Sequence, residues 1–210
     1  MSAPSPGVVG IVLAGGASSR FGSDKLSVSV DGRPLLHRAL ASVASVADRV
    51  VVAIAPEAPS PSVPEALAGR IVFARDAAAH GGPLAGLAAG LAGIGTFVRD
   101  EAPRIALVVG GDMPALVPDV LRLLADALAA DPSLVAMTLA GSHPAPLPLV
   151  VRTQAARTAI DAILASGGRR SLLALLDVVP SATLPEAVWR PLDPSGATLR
   201  DIDTPADLPA

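Results

Sequence analysis

An apolar run of strand character, VVGIVL at Val8–Leu13, leads straight into a loop crowded with glycine and charge. Gly15, Gly16, Ser18, Ser19, Arg20, Gly22 and Lys25 all fall within LAGGASSRFGSDK, residues 13–25. Glycine lets a backbone approach a ligand closely and adopt positive φ. Loop N–H groups, a guanidinium and an ammonium together suit a polyphosphate. A strand followed by a glycine-rich basic loop is the usual phosphate site of α/β folds. The competing reading is a surface turn.

The chain beyond this loop alternates strand and helix patterns. Leu26–Val30 alternates apolar and polar residues and predicts a short strand, with Asp31-Gly32 as a turn. Pro34 suits a first helical position, and the helical spacing of Leu35, Leu36, Ala39, Leu40 and Val43 predicts a helix ending near Val46. Arg49–Ala55 reads as a strand covered on both faces, and Pro56–Pro64 as a loop. Strands are predicted at Arg70–Ala74 and Arg104–Val109, and helices from Leu84 and over Val117–Ala130. Such alternation implies βαβ crossovers, a mainly parallel sheet and helices on both faces. Ligands in such sheets sit at the carboxyl ends of the strands. The loops at 14–25, 75–83 and 110–114 all follow strands and are expected to converge on one edge.

The second half is less regular. Strands are expected at Leu134–Leu139 and Leu147–Val151, and a helix at Gln154–Leu164. A short helix capped by Ser171 runs to Leu176. A last strand is expected at Leu199–Ile202, then a helical turn opening at Thr204-Pro205. With no repeat or linker visible, residues 1–210 are read as a single domain.

Composition excludes several classes. There are no cysteines, which removes disulfides, thiolate metal sites and cysteine nucleophiles. A net charge of -3 without a basic stripe, with Tyr absent and one Trp, argues against nucleic acid. The N-terminus MSAPSPG lacks the basic and apolar regions of a signal peptide, so a cytoplasmic location is expected. The uncharged stretch Ala77–Val98 is interrupted by His80, Pro83 and six glycines. It reads as a buried loop and helix, not a membrane span.

Two aspartates carry candidate chemistry. Asp112 follows a strand directly in Gly111-Asp112-Met113-Pro114, and Asp203 lies in DIDTP at 201–205. A carboxylate at a strand end, across from a phosphate loop, suits Mg²⁺-dependent phosphoryl or nucleotidyl chemistry. A helix cap or turn is the alternative for each.

LAGGASSRFGSDK resembles the LAGG-x-S-x-R-(M/F)-G-x-DK signature of the molybdenum cofactor guanylyltransferases. Further segments agree in order: Gly32-x-Pro34-Leu35, GGPLAGL at 81–87, GDMP at 111–114, HPAPLPLVV at 143–151, RRSLLALLD at 169–177 and DIDTP. The resemblance implies one nucleotidyltransferase domain with a Rossmann-like three-layer α/β/α sandwich. It implies Mg²⁺-dependent transfer of GMP from GTP to the terminal phosphate of molybdopterin, with release of pyrophosphate. Contact with other enzymes of cofactor biosynthesis is a further expectation from it. Leu13, Ala14, Gly15 and Gly16 would form the nucleotide-binding turn; Lys25 would touch the phosphates and Arg20 the leaving pyrophosphate. Asp76 would lie at the nucleotide site, Gly82 and Pro83 would shape the base loop, and Asp112 would hold the metal, with Asp203 as a second ligand. His143 would face the pterin, and Arg169 and Arg170 either meet the acceptor phosphate or form a solvated turn.

Two departures bear on the nucleotide. Ala53 stands where the family carries Asn after its second strand, and DIDTP replaces N-x-N-T-P. The second substitution is closer to cytidylyltransferase relatives. CTP with molybdopterin, or transfer to a sugar phosphate or phospholactate, is therefore the rival activity. A non-catalytic nucleotide-binding protein is the rival of another class.

Overall fold

The apolar run becomes β1 (Val8–Leu13), a strand buried on both faces in the interior of the sheet. A computed structural model describes residues 7–15, 25–77, 81–96, 104–142 and 145–208. The strands β4 (Arg49–Ile54) and β5 (Ile71–Arg75) extend the sheet on one side. On the other side stand β6 (Ile105–Gly110), β7 (Ala136–Leu139), β8 (Leu149–Arg152) and β9 (Ser181–Leu184). Their order is β5-β4-β1-β6-β8-β7-β9, and β8 alone of these runs antiparallel to its neighbours. The expected mainly parallel sheet is therefore present.

Helices cover both faces. One face carries α1 (Leu35–Ala44) and α3 (Pro118–Ala130), whose Leu36, Leu40, Leu121 and Leu124 pack on Val12, Val52 and Leu107. The other carries α2 (Gly82–Gly93), α4 (Thr153–Ala165) and α5 (Leu172–Leu176), packed on Val9, Ile11, Val51 and Val108. Burial of these aliphatic side chains contributes roughly 1.5–3 kcal/mol each. The small residues of α2 have a packing reason: a Cβ at Gly90 would stand 2.6 Å from Ile11. Among the described residues no helix is long and apolar enough to cross a membrane.

Sheet register sets the functional edge. Leu13 pairs with Ala53 on one side and Gly110 on the other, and Ala53 pairs with Ala74. The segments leaving these four positions start level, so the loops after Leu13, Ala74 and Gly110 begin at one edge, as expected.

Several local readings needed correction. Lys25–Ser27 is a 3₁₀ turn, and only Ser29–Val30 (β2) is extended, pairing with Arg33–Pro34 (β3) across Asp31-Gly32. Pro34 ends that hairpin and precedes the helix instead of opening it, and α1 stops at Ala44. No strand forms at Leu199–Ile202; a 3₁₀ turn at Ala197–Leu199 leads into irregular chain. The Asp193 carboxylate accepts the N–H groups of Ala197 and Thr198 and turns the chain there. The edge strand β9 and the short α6 (Glu186–Trp189) carry little periodic signal. Trp189 anchors that region, fully buried, with its indole N–H donating to the Ala140 carbonyl at 3.0 Å.

Candidate active site

Three segments meet around one ammonium group. Lys25 begins the 3₁₀ turn after the glycine loop, Asp112 follows β6, and Asp203 lies near the C-terminus. The Lys25 Nζ donates to Asp112 Oδ2 at 3.0 Å and to Asp203 Oδ1 at 3.1 Å. Burial works against this ammonium, but its hydrogen bonds and charge attraction to both carboxylates prevail and leave its pKa above the ordinary lysine value. Asp201 is pushed above the ordinary carboxylate range, first by desolvation and then by repulsion from Asp203. Two carboxylates thus bond one ammonium, with the Asp201 carboxylate near enough to feel their charge.

Backbone geometry explains how Asp112 reaches the site. The Gly111 N–H donates to the Leu13 carbonyl at 2.9 Å, which ties the turn after β6 to the end of β1. A Cβ on Gly110 would collide with the Asp112 carboxylate, so glycine here leaves that side chain its present place. The Asp112 carbonyl accepts the Ile202 N–H at 3.0 Å, which docks the C-terminal segment on the same turn. Helix capping does not account for Asp112, because α3 begins six residues later at Pro118. Nor does it account for Asp203, since Thr204 and Asp207 form the capping box of the following 3₁₀ turn.

A second region lies along the same edge. The Ala14 N–H donates to the Ala53 carbonyl at 2.8 Å, and the Asp76 N–H to the Ile54 carbonyl at 3.0 Å. Asp76 is 7% exposed. Burial raises its pKa, and its Oδ1 has no hydrogen-bond partner among the described residues. A Cβ at Gly15 would lie 3.6 Å from one Asp76 oxygen, and one at Gly86 3.7 Å from the other. The carboxylate is therefore flanked by two residues that lack side chains. A buried acceptor without a partner costs stability, typically ~1–3 kcal/mol.

Gly82 and Pro83 open α2 close by. Gly82 has φ +74°, and the Arg170 carbonyl accepts the Leu84 N–H at 3.3 Å. The Arg169-Arg170 turn thus closes over the start of α2 with both side chains exposed, and Ser171 caps α5 as expected.

This architecture matches a known family over most of its length. The family model described as MobA-like NTP transferase domain matches residues 10–182. The chain belongs to this family. It is 30% identical over 202 residues to the "Probable molybdenum cofactor guanylyltransferase" of Chloroflexus aggregans, covering 95% of this chain and 90% of that one. A relative of the same description from Mycobacterium marinum is 30% identical over 206 residues, covering 97% and 92%. Among solved structures, molybdopterin-guanine dinucleotide biosynthesis protein A from Archaeoglobus fulgidus superimposes with a TM-score of 0.74 at 24% identity, covering 95% and 94%. The 2-C-methyl-D-erythritol 4-phosphate cytidylyltransferase of Thermus thermophilus superimposes with a TM-score of 0.64 at 18% identity, covering 94% and 93%. At these identities the two superpositions speak for the fold alone.

The protein is thus a MobA-like nucleotidyltransferase with a Rossmann-like fold. Of the residues singled out in its sequence, Lys25, Asp112 and Asp203 come together directly. Leu13, Ala14, Gly15, Asp76, Gly82 and Pro83 line the same edge on the β1-β4-β5 side. Gly16, Arg20 and His143 lie outside the described residues. Sequence reasoning missed Gly110 and Asp207. The Gly-Gly doublet before Asp112 signalled the first, and the spacing Thr204-x-x-Asp207 of a capping box signalled the second.

Proposed function

We propose that this nucleotidyltransferase, acting as one domain over residues 1–210, transfers GMP from GTP to the terminal phosphate of molybdopterin or its molybdenum-bound form, releasing pyrophosphate. The observation that carries this reading is the convergence of Lys25, Asp112 and Asp203 at the sheet edge beside the Gly15 turn. The relatives' described activity supplies the donor and acceptor.

The donor set fits Mg²⁺. Asp112 and Asp203 offer hard carboxylate oxygens, and the Lys25 ammonium already lies against both as a stand-in cation. Among the described residues no group of three or more His, Cys, Asp or Glu side chains is arranged to hold a metal alone. Two carboxylates with triphosphate oxygens and water make the mixed shell that Mg²⁺ commonly takes. Bound there, the ion supplies charge neutralisation at the reacting phosphates.

The chain's own residues then have distinct tasks. The acceptor phosphate oxygen attacks the α-phosphorus of GTP in line, and the bond to the β-phosphate oxygen breaks. That nucleophile is already anionic, so no general base is required. Lys25 moves from the carboxylates to the triphosphate, and Arg20 stabilises the leaving pyrophosphate. Asp76 selects the base: an ionised carboxylate only accepts, and guanine presents adjacent N1–H and N2–H donors. Cytosine presents only its 4-amino group as a donor, beside the N3 acceptor, and so pairs less well with a carboxylate.

Pyrophosphate release from GTP and from CTP, each with molybdopterin and Mg²⁺, tests this reading. GTP turnover with CTP slower by at least about tenfold, the discrimination of one good hydrogen-bonded contact, is expected. Turnover with CTP alone would remove the guanylyl assignment. No pyrophosphate from any nucleoside triphosphate would leave the non-catalytic reading standing.

A further inference from the structure

Asp203 is the least supported member of the cluster. Its side chain is 58% exposed, against 29% for Asp112, and no helix or strand carries it. A carboxylate on loose chain contributes little to a cation site, because fixing it costs conformational entropy. Two anchors hold this segment. Ile202 is buried with Val30 and Leu35, and its N–H is bonded to the Asp112 carbonyl. The second anchor is Asp207. A single oxygen, Oδ2, accepts the Asp203 N–H at 3.1 Å, the Thr204 N–H at 2.7 Å and the Thr204 hydroxyl at 2.9 Å.

We infer that Asp207 is a positioning residue for the cation site: its clasp on residues 203 and 204 fixes the turn that aims Asp203 at Asp112 and Lys25. This rests on the reading of Asp112 and Asp203 as the metal carboxylates. Capping alone would require the carboxylate to serve only the three-residue turn Pro205–Asp207. The bond to the Asp203 N–H reaches outside that turn, directly to the residue whose side chain meets Lys25.

Mn²⁺ titration of the full chain with GTP present and acceptor absent, with free Mn²⁺ read by electron paramagnetic resonance, tests the inference. Asp207→Ala is expected to weaken Mn²⁺ binding about tenfold, as loss of a group that orients a ligand does. Asp207→Asn, which keeps the accepting oxygen, should recover most of that loss. Thr204→Val, a milder probe of the same clasp, should weaken binding about threefold, the share of one hydrogen bond. Asp203→Ala should weaken it at least as much as Asp207→Ala. The double variant should be no weaker than Asp203→Ala alone, since the two act through one contact. Wild-type binding in Asp207→Ala and Thr204→Val, with binding lost in Asp203→Ala, would overturn the positioning role. Fully additive losses in the double variant would overturn it as well. Wild-type binding in Asp203→Ala would instead remove Asp203 from the metal, and with it the reading on which the inference rests.

Discussion

Asp76 and Asp112 stand at the carboxyl ends of strands in the same sheet, yet in opposite electrostatic conditions. Asp112 is partly exposed and bonded to an ammonium that also holds Asp203. Asp76 is buried, has one oxygen without a partner among the described residues, and has a raised pKa. The difference tells what each is built to meet. A cation already occupies the first position, so the groups there are arranged around positive charge. The second has no charge partner among the described residues and is flanked by Gly15 and Gly86. One edge thus holds an ion-paired carboxylate cluster at β6 and the C-terminus, and a buried, unpaired carboxylate at β5; on the proposed function these are its charge-handling and base-recognition sides.

The contrast breaks first if Asp112 is a structural residue. Asp112→Ala should lower nucleotidyl transfer by about 10²–10³-fold, in the range found when one stabilising group is removed from a reacting centre. Its thermal unfolding profile should stay near wild type, because the side chain is partly exposed. Large destabilisation with residual turnover would erase the distinction.

Asp76→Asn sharpens the comparison on the other side. It should weaken GTP binding, measured by calorimetry, about tenfold, the loss of one charge-assisted hydrogen bond. Stability should move the opposite way. A raised carboxyl pKa means that the folded protein holds its proton more tightly than the unfolded chain. Wild-type stability therefore falls as pH rises from the ordinary carboxylate pKa through the raised one. Asp76→Asn should unfold at a higher temperature than wild type at pH 7, and the gain should vanish in acid. A gain that persists below the ordinary carboxylate range would show that charge burial is not its cause.

The smallest effect is expected at Gly82. Gly82→Ala meets both a positive φ and the Arg170 carbonyl, 2.7 Å from the new Cβ. A cost of about 1–3 kcal/mol follows, and a fall of roughly 2–10 °C in the unfolding midpoint. GTP affinity should fall with it, while nucleotide-free Mn²⁺ binding at the opposite side stays unchanged.

Much of this was legible in the residues alone. The apolar runs at Val8–Leu13, Arg49–Ala55 and Arg104–Val109 determined a parallel sheet, because buried strands need apolar side chains on both faces. The glycine-rich loop with its DK ending, and the aspartate after the strand predicted at Arg104–Val109, pointed to the family and to the sheet edge of the candidate site. Tertiary structure alone decided the rest. Lys25, Asp112 and Asp203 lie far apart in the chain, and the docking of Ile202 on the Asp112 carbonyl is what gathers them. The Leu199–Ile202 stretch was expected as a strand, but the Ala197 and Thr198 N–H groups donate to the Asp193 carboxylate and turn the chain just before it. Local periodicity registers which residues seek the core. It does not register which distant backbone groups will bond to one another, and those bonds place the second carboxylate of this site.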